Sequence, residues 1–466
     1  MQRPDPASSA PVLPWAAEGG LPPLPDLAAH LAAASDRTGP EPIGGALALR
    51  RAAGDYWGRR GLHTAPDDVL AGPGAQPLLL ALLATVGGDV LLTRPAAAWY
   101  APLARLAGRP VYPVPAPAAG GGVPDPFALL ETVRRVRAEG GDPRVLLLAV
   151  ADDPTGTVAP PELLHEVCEA AEAVGLLVVS DETWRDTVHP AAGEPAREGA
   201  WPVAEGARPA PAAGRLPVPD AAGGRDGSPG PGRPPAPGPG LPMPPASWPA
   251  ENVLVSPAEM VADRVVVLTD LAGAFTPPSW PAAVARFPRT DRGAALRSDL
   301  LAALSAVRAE LAAPVAAAAL HALREPEPVR ARVEQAARAF GAVGAAAYDR
   351  LGALGVRSRP PRAGRHLYVD LEELRGPLAE RGITDSVDLE RELTRRLGRP
   401  VPGGHRFGDT PDALCVRLTT LPLLGADDTQ RLAALDAREP LELASVRGAL
   451  DLLAAVFGEL GQAGES

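Results

Sequence analysis

The chain has 466 residues, 46% hydrophobic but only 4% aromatic, and a formal net charge of −11. That length suits one large α/β domain with a smaller companion, and an acidic chain without a basic cluster excludes a nucleic-acid backbone as ligand. All 45 basic residues are arginine, so no lysine amine is present; the heavy use of Ala, Gly and Pro alongside suggests GC-rich coding. The start, Met1–Pro14, lacks the basic-then-apolar pattern of a signal peptide, and no long apolar run free of charge and proline marks a membrane span. Cys168 and Cys415 lie far apart in apolar segments, as expected of reduced thiols, and the seven histidines are too dispersed for a metal site. A cytoplasmic protein without metal is expected.

In chain order, residues 1–42 form an arm of mixed Pro and Ala with a helical piece near Leu27–Ala34. Gly45–Gly61 carries Leu47, Leu49, Ala52 and Tyr56 near helical spacing. Short apolar runs then alternate with helical ones. Val90–Leu92, Val111–Val114, Val145–Val150, Leu176–Ser180 and Val265–Leu268 predict buried strands, and Gln76–Thr85, Pro126–Glu139 and Pro161–Ala173 predict helices between them. This alternation implies a mostly parallel sheet covered on both faces, with functional loops at the carboxyl ends of its strands. Over 191–250 nearly half the positions are Pro or Gly, including the run Pro229–Gly240; such composition predicts a disordered insertion into one domain. Beyond it, Arg297–Leu323 and Glu334–Leu354 predict long helices, His366–Leu371 and Leu414–Leu418 strands, and Leu441–Leu460 a closing helix. The fold class is α/β. The expected division is an arm (1–42), a large domain (43–190 and 251–295), the insertion (191–250), and a long helix with a small C-terminal α/β domain (296–466).

Several fragments in fixed order carry chemistry. Gly72-Pro73-Gly74-Ala75-Gln76 opens a helix, where free N–H groups and the helix dipole favour anions. Asp152-Asp153-Pro154-Thr155-Gly156 follows one strand and Ser180-Asp181-Glu182-Thr183-Trp184 ends the next. Val265–Leu268 runs into Thr269-Asp270-Leu271-Ala272-Gly273 and on to Trp280-Pro281, and Arg417 sits inside Leu414–Leu418, downstream of Gly404-His405-Arg406-Phe407-Gly408. Together these fragments resemble the class I/II aminotransferases, enzymes that use pyridoxal phosphate.

The resemblance implies an aminotransferase-like large domain and assigns roles. Gly74, Ala75 and Gln76 fall in the phosphate turn, and Asp153 takes the place of the asparagine that contacts the cofactor's ring oxygen. Asp181 matches the carboxylate that keeps the pyridine nitrogen protonated, and Trp184 replaces a tyrosine. Arg417 matches the arginine whose planar fork clamps the substrate carboxylate. It also implies departures. Ala97 stands where the family has an aromatic stacked on the ring, with Trp99 and Tyr100 nearby. Pro278 and Ser279 replace turn glycines, and Pro281 replaces the phosphate-binding arginine. Gly273 stands where the family has the lysine that forms a Schiff base with the cofactor. No residue is therefore assigned as catalytic, His366 or His405 reaching the lysine's place only by a shift. The resemblance implies amino acid metabolism as the ancestral context and a dimer, either of this chain with itself or with an intact aminotransferase. A pseudoenzyme that acts by binding is expected; the other readings are an enzyme using non-covalently held pyridoxal or pyridoxamine phosphate with an amino acid, and a small-molecule sensor.

Overall fold

The computed structural model describes residues 19–117, 120–190 and 254–462. The first part of the arm and the Pro/Gly-rich stretch expected to be disordered over 191–250 lie outside them. In chain order the elements are α1 (Pro25–Ala33), α2 (Leu47–Gly58), β1 (Val69–Gly72), α3 (Ala75–Val86), β2 (Asp89–Arg94), α4 (Tyr100–Leu106), β3 (Val111–Pro115), α5 (Pro126–Ala138), β4 (Pro143–Ala149), α6 (Pro161–Ala173) and β5 (Leu177–Asp181). There follow α7 (Pro257–Met260), β6 (Val265–Asp270), β7 (Ala283–Arg286), α8 (Asp291–Ala306), α9 (Ala313–Leu323), α10 (Glu327–Gly352), β8 (Arg357–Ser358), β9 (His366–Asp370), α11 (Arg375–Glu380), α12 (Ser386–Leu397), β10 (Cys415–Thr419), α13 (Asp428–Asp436) and α14 (Ala444–Gly461).

Seven strands form one sheet in the order β1-β7-β6-β5-β4-β2-β3. The run from β3 to β6 is parallel, and β7 lies antiparallel between β6 and β1. Alternate side chains of each inner strand face opposite sides. Leu146, Leu148, Val178, Val265 and Val267 join the core on one face, and Val145, Leu147, Val179, Val266 and Leu268 the core on the other. Burial on both faces is why these strands read as continuous apolar runs. A second, antiparallel sheet, β10-β9-β8, packs with α10 and α14 around a separate apolar cluster.

The expected single helix over 297–323 is instead two, α8 and α9. Thr290 caps α8 by accepting the Gly293 N–H. Arg308, just past its end, has φ 52°, which reverses the chain, and a proline in the first turn of α9 restarts it. The short strands β1 and β7, which complete the sheet edge, are each only four residues long.

A buried ionic cluster fastens the loop after β5 to the helical layer. Arg60, just beyond α2, donates to Asp186 at 2.9 Å and to Glu325 at 2.5 Å, and the Tyr56 hydroxyl donates to Asp186 at 2.7 Å. The side chains of Arg60, Asp186 and Glu325 are each at most 3% exposed. Replacing Arg60 by Leu leaves two carboxylates buried against an apolar group; we expect a loss of about 3–5 kcal/mol, read as a lower urea midpoint at unchanged slope.

Candidate functional site

Strands β4, β5 and β6 end side by side, Asp181 standing opposite Ala149 and Leu268. The loops that leave β5 and β6 are laced together. Glu182 N–H donates to the Leu268 carbonyl at 2.8 Å, Thr183 N–H to Asp181 Oδ1 at 2.9 Å, and Asp270 N–H to Thr183 Oγ1 at 3.1 Å. This lacing sets the Thr183 carbonyl directly over Gly273. A Cβ on Gly273 would run into that carbonyl oxygen, with the Thr183 Cγ2 at 2.9 Å and its carbonyl carbon at 3.0 Å.

At the start of α3, Gly74 adopts φ 101°, open to glycine alone at little cost, and no side chain of the helix caps its own first turn. The cap comes from the β6 loop. Asp270 Oδ2 accepts the Ala75 N–H at 2.8 Å while its Oδ1 accepts the Ala272 N–H at 2.9 Å. Burial pushes the Asp270 carboxyl up to about 6, against the two N–H donors that pull it down. Gln76 Oε1 and the Pro281 ring also border Gly74. Arg286 stands at the other end of β7, opposite Val69 and Val267, donating to Thr64 Oγ1 at 3.0 Å.

Asp181 is buried, and each of its oxygens is engaged: Tyr100, at the start of α4, donates its hydroxyl to Oδ2 at 2.6 Å. Burial raises the Asp181 carboxyl, opposed by those hydrogen bonds and reinforced by the nearby Asp153 charge. In the turn after β4, Asp153 does not face an open slot. Its Oδ1 accepts from Arg417 Nη1 at 2.7 Å, and His366 Nδ1 lies 3.8 Å from the same oxygen. The preceding Asp152 accepts from Thr155 Oγ1 at 2.5 Å; burial pushes its carboxyl up to about 7 despite that bond, with the Asp153 charge adding to the rise.

The structure thus gathers Asp153, Asp181, Arg417, Gly74, Ala75 and Gly273 at one end of the sheet. Trp184 packs its ring against Gly364 and edge-on to His366, with the Arg365 guanidinium 5.4 Å from the ring centre. Ala97 is buried without taking an aromatic's place, and Trp99 lies edge-to-face on Tyr100 at 4.6 Å. His405 is turned toward Ser386 Oγ, 3.0 Å away, and Arg406 is paired with Glu390. Sequence reasoning gave no role to Asp270 or Thr183, and took Tyr100, with Trp99, only as a substitute for the missing ring-stacking aromatic rather than as a partner of Asp181. A signal for the first was present: a buried helix start without Ser, Thr, Asp or Asn needs an acceptor from elsewhere. A cleft of about 50 Å³ at this end is lined by Gly20, Pro22, Trp184, Gly273, Phe275 and Arg365 among others.

Among solved structures the chain is similar to the aspartate aminotransferase of Thermus thermophilus with maleate (TM-score 0.67, 19% identity, 94% of this chain and 90% of that one). It is likewise similar to the N-succinyldiaminopimelate aminotransferase of Mycobacterium tuberculosis (TM-score 0.65, 20% identity, 94% and 91%). These likenesses define an α/β protein of aminotransferase fold. Residues 18–207 match the family model for class I and II aminotransferases. The chain is 30% identical over 168 residues to a probable aspartate/prephenate aminotransferase of Thermus aquaticus, covering 35% of this chain and 42% of that protein. It is 32% identical over 137 residues to an aspartate aminotransferase of Pinus pinaster, covering 28% and 27%. Residues 18–207 are thus similar to the class I and II aminotransferase family, whose members use pyridoxal phosphate, and the chain as a whole shares the aminotransferase fold. These matches to curated relatives span less than half the relatives' length, and the family match ends before Gly273 and Arg417. Among the described residues no helix is long and apolar enough to cross a membrane.

The Asp152 geometry gives a pH test. A carboxyl raised in the folded state takes up its proton on folding, so its contribution to stability is greatest at low pH and is lost as pH rises through the folded value of about 7. Asparagine keeps an acceptor for Thr155 and cannot ionise. Asp152→Asn should therefore gain stability over the parent between about pH 5.5 and about pH 8, seen in urea titrations at both; an equal effect at both values rules the raised carboxyl out.

Proposed function

We propose that this chain is a degenerate class I/II aminotransferase-fold protein that forms no covalent link to pyridoxal phosphate and acts by binding, as a subunit partner of an intact aminotransferase or of itself. The observation that carries this reading is the Thr183 carbonyl over Gly273. The lysine's place is not simply vacated; the backbone of the neighbouring loop fills the space through which any side chain would leave. Two further observations support it. The residues at the phosphate turn do not fit the cofactor's phosphate, because Asp270 presents a carboxylate there and Pro281 no donor. Asp153, a carboxylate on Arg417, presents no N–H to a ring oxygen.

A working enzyme with non-covalently held pyridoxal or pyridoxamine phosphate is the second reading, favoured by Asp181 and Arg417. It needs a proton carrier at the lysine's place. Arginine stays protonated there, and His366 is held between Asp153 and Trp184. Losing a positioned base costs roughly 10²–10⁴ in rate. A role for residues 191–250 as the contact with a partner belongs to the same proposal, as do the domain boundaries expected from sequence and a cytoplasmic location.

Equilibrium titration of the full chain with pyridoxal phosphate and with pyridoxamine phosphate separates these readings. No saturable binding is expected; tight binding abolished by Asp181→Ala would establish the second reading in its place. The steric seal has its own test. Gly273→Ala should cost about 1–3 kcal/mol, as overpacking does, and Gly273→Lys should fail to create a cofactor absorbance. A neutral Gly273→Ala in thermal unfolding contradicts the seal.

A further inference from the structure

We propose that the Asp270 carboxylate is a built-in ligand of its own anion cup: it occupies the N-terminus of α3 and holds this end of the sheet closed to phosphate-bearing molecules. This rests on the reading of the chain as a family member that carries no cofactor, and it goes further by naming the group that stands in the cofactor's way.

Three facts converge on Asp270. Its carboxylate spans two loops, one oxygen on the Ala75 N–H at the helix start and the other on the Ala272 N–H in the turn leading to Gly273. A helix N-terminus stabilises a negative charge whichever molecule provides it, and a side chain fixed by its own backbone N–H bond to Thr183 Oγ1 binds there without the cost of association. Among the described residues, the groups that border the turn include no cation that would favour a dianion over this carboxylate. Pro281 and Gln76 border the turn, and Arg286 is turned to Thr64 at the far end of β7. The field is acidic besides: the Asp181 charge reaches Asp270, and the Asp153 charge reaches Asp181. Asp153 on Arg417 repeats the arrangement on the opposite side, a carboxylate of the chain where a carboxylate ligand would bind.

The test uses the full chain, inorganic phosphate as probe, and Asp270→Ser and Asp270→Asn as variants. Chloride at matched ionic strength removes general salt effects. Asp270→Ser should melt below the parent, since the Ala75 and Ala272 N–H groups lose their acceptor. Phosphate should then raise the melting temperature of Asp270→Ser in a saturable way while leaving the parent unmoved, with an apparent affinity at least about tenfold tighter than the parent's. Asp270→Asn, which keeps an acceptor and drops the charge, should respond less than Asp270→Ser. Equal phosphate responses in parent and variants overturn the proposal, as does a parent that binds phosphate saturably. If Asp270→Ser does not fold, isotope-exchange protection of the Ala75 and Ala272 amides in Asp270→Asn decides: unchanged protection at both overturns it. Failure of the partner reading would instead appear as pyridoxal phosphate binding that depends on Asp181, a different ligand and a different residue.

Discussion

The arrangement of this end of the molecule depends on the lacing of the loops that leave β5 and β6. Parallel neighbours in a sheet deliver their following loops to the same edge, so the two segments must either diverge around a ligand or satisfy each other. Here they satisfy each other. Thr183 takes the Asp270 N–H on its hydroxyl and gives its own N–H to Asp181, and Glu182 closes onto Leu268. With those bonds made, the Thr183 carbonyl has one place to go, above residue 273, and only glycine leaves room for it. The residue at 273, the hydroxyl at 183 and the acid at 270 are thus one structural unit rather than three independent changes. An arginine or histidine at 273 would meet the same obstacle as a lysine, because the conflict begins at Cβ.

Electrostatics follow from the same unit. A pocket for a phosphorylated cofactor and a carboxylate substrate needs surplus donors and positive charge. This one brings Asp152, Asp153, Asp181 and Asp270 to neighbouring strand ends, and answers them with backbone N–H groups, the hydroxyls of Thr155 and Tyr100, and Arg417. Each acid is individually satisfied, which is what a buried carboxylate requires, but the donors that an outside anion would use are consumed in doing so. The upward shifts at Asp152, Asp181 and Asp270 register the cost of gathering them in a buried place.

Much of this was legible in the residues. The inner strands announced themselves because burial on both faces makes them apolar at every position, and helices α5 and α6 are marked by prolines in their first turns. The alternation of strand and helix fixed the parallel run from β3 to β6. What stayed hidden has physical reasons. Strands β1 and β7 are four residues long and acquire their identity only from pairing. The break between α8 and α9 turns on one positive φ at Arg308, a residue type that does not advertise it. At the site, the motif positions were readable one by one, yet who touches whom was not: Asp270 and Ala75 are 195 positions apart, and Asp153 and Arg417 are 264 apart. Such pairings exist only once the sheet has been assembled.

The retention of Asp181 and Arg417 then takes on a different meaning. Read along the chain, two residues of the right type in the right order look like remnants of chemistry. In the folded protein each has an internal partner and a structural task. Arg417 lies over the Phe407 ring at 5.1 Å and pairs with Asp153, and Asp181 anchors both Tyr100 and the Thr183 turn. Removing either strands its partners in a buried site, and breaking the Arg417–Asp153 ion pair costs about 3–5 kcal/mol. Selection for folding alone is enough to keep them, whereas nothing structural protects a lysine once the Thr183 carbonyl has closed over its position. On the proposed reading, Asp181 and Arg417 persist where the fold needs them, while Gly273 stands beside other departures from the family pattern at Ala97, Asp153, Trp184 and Pro281.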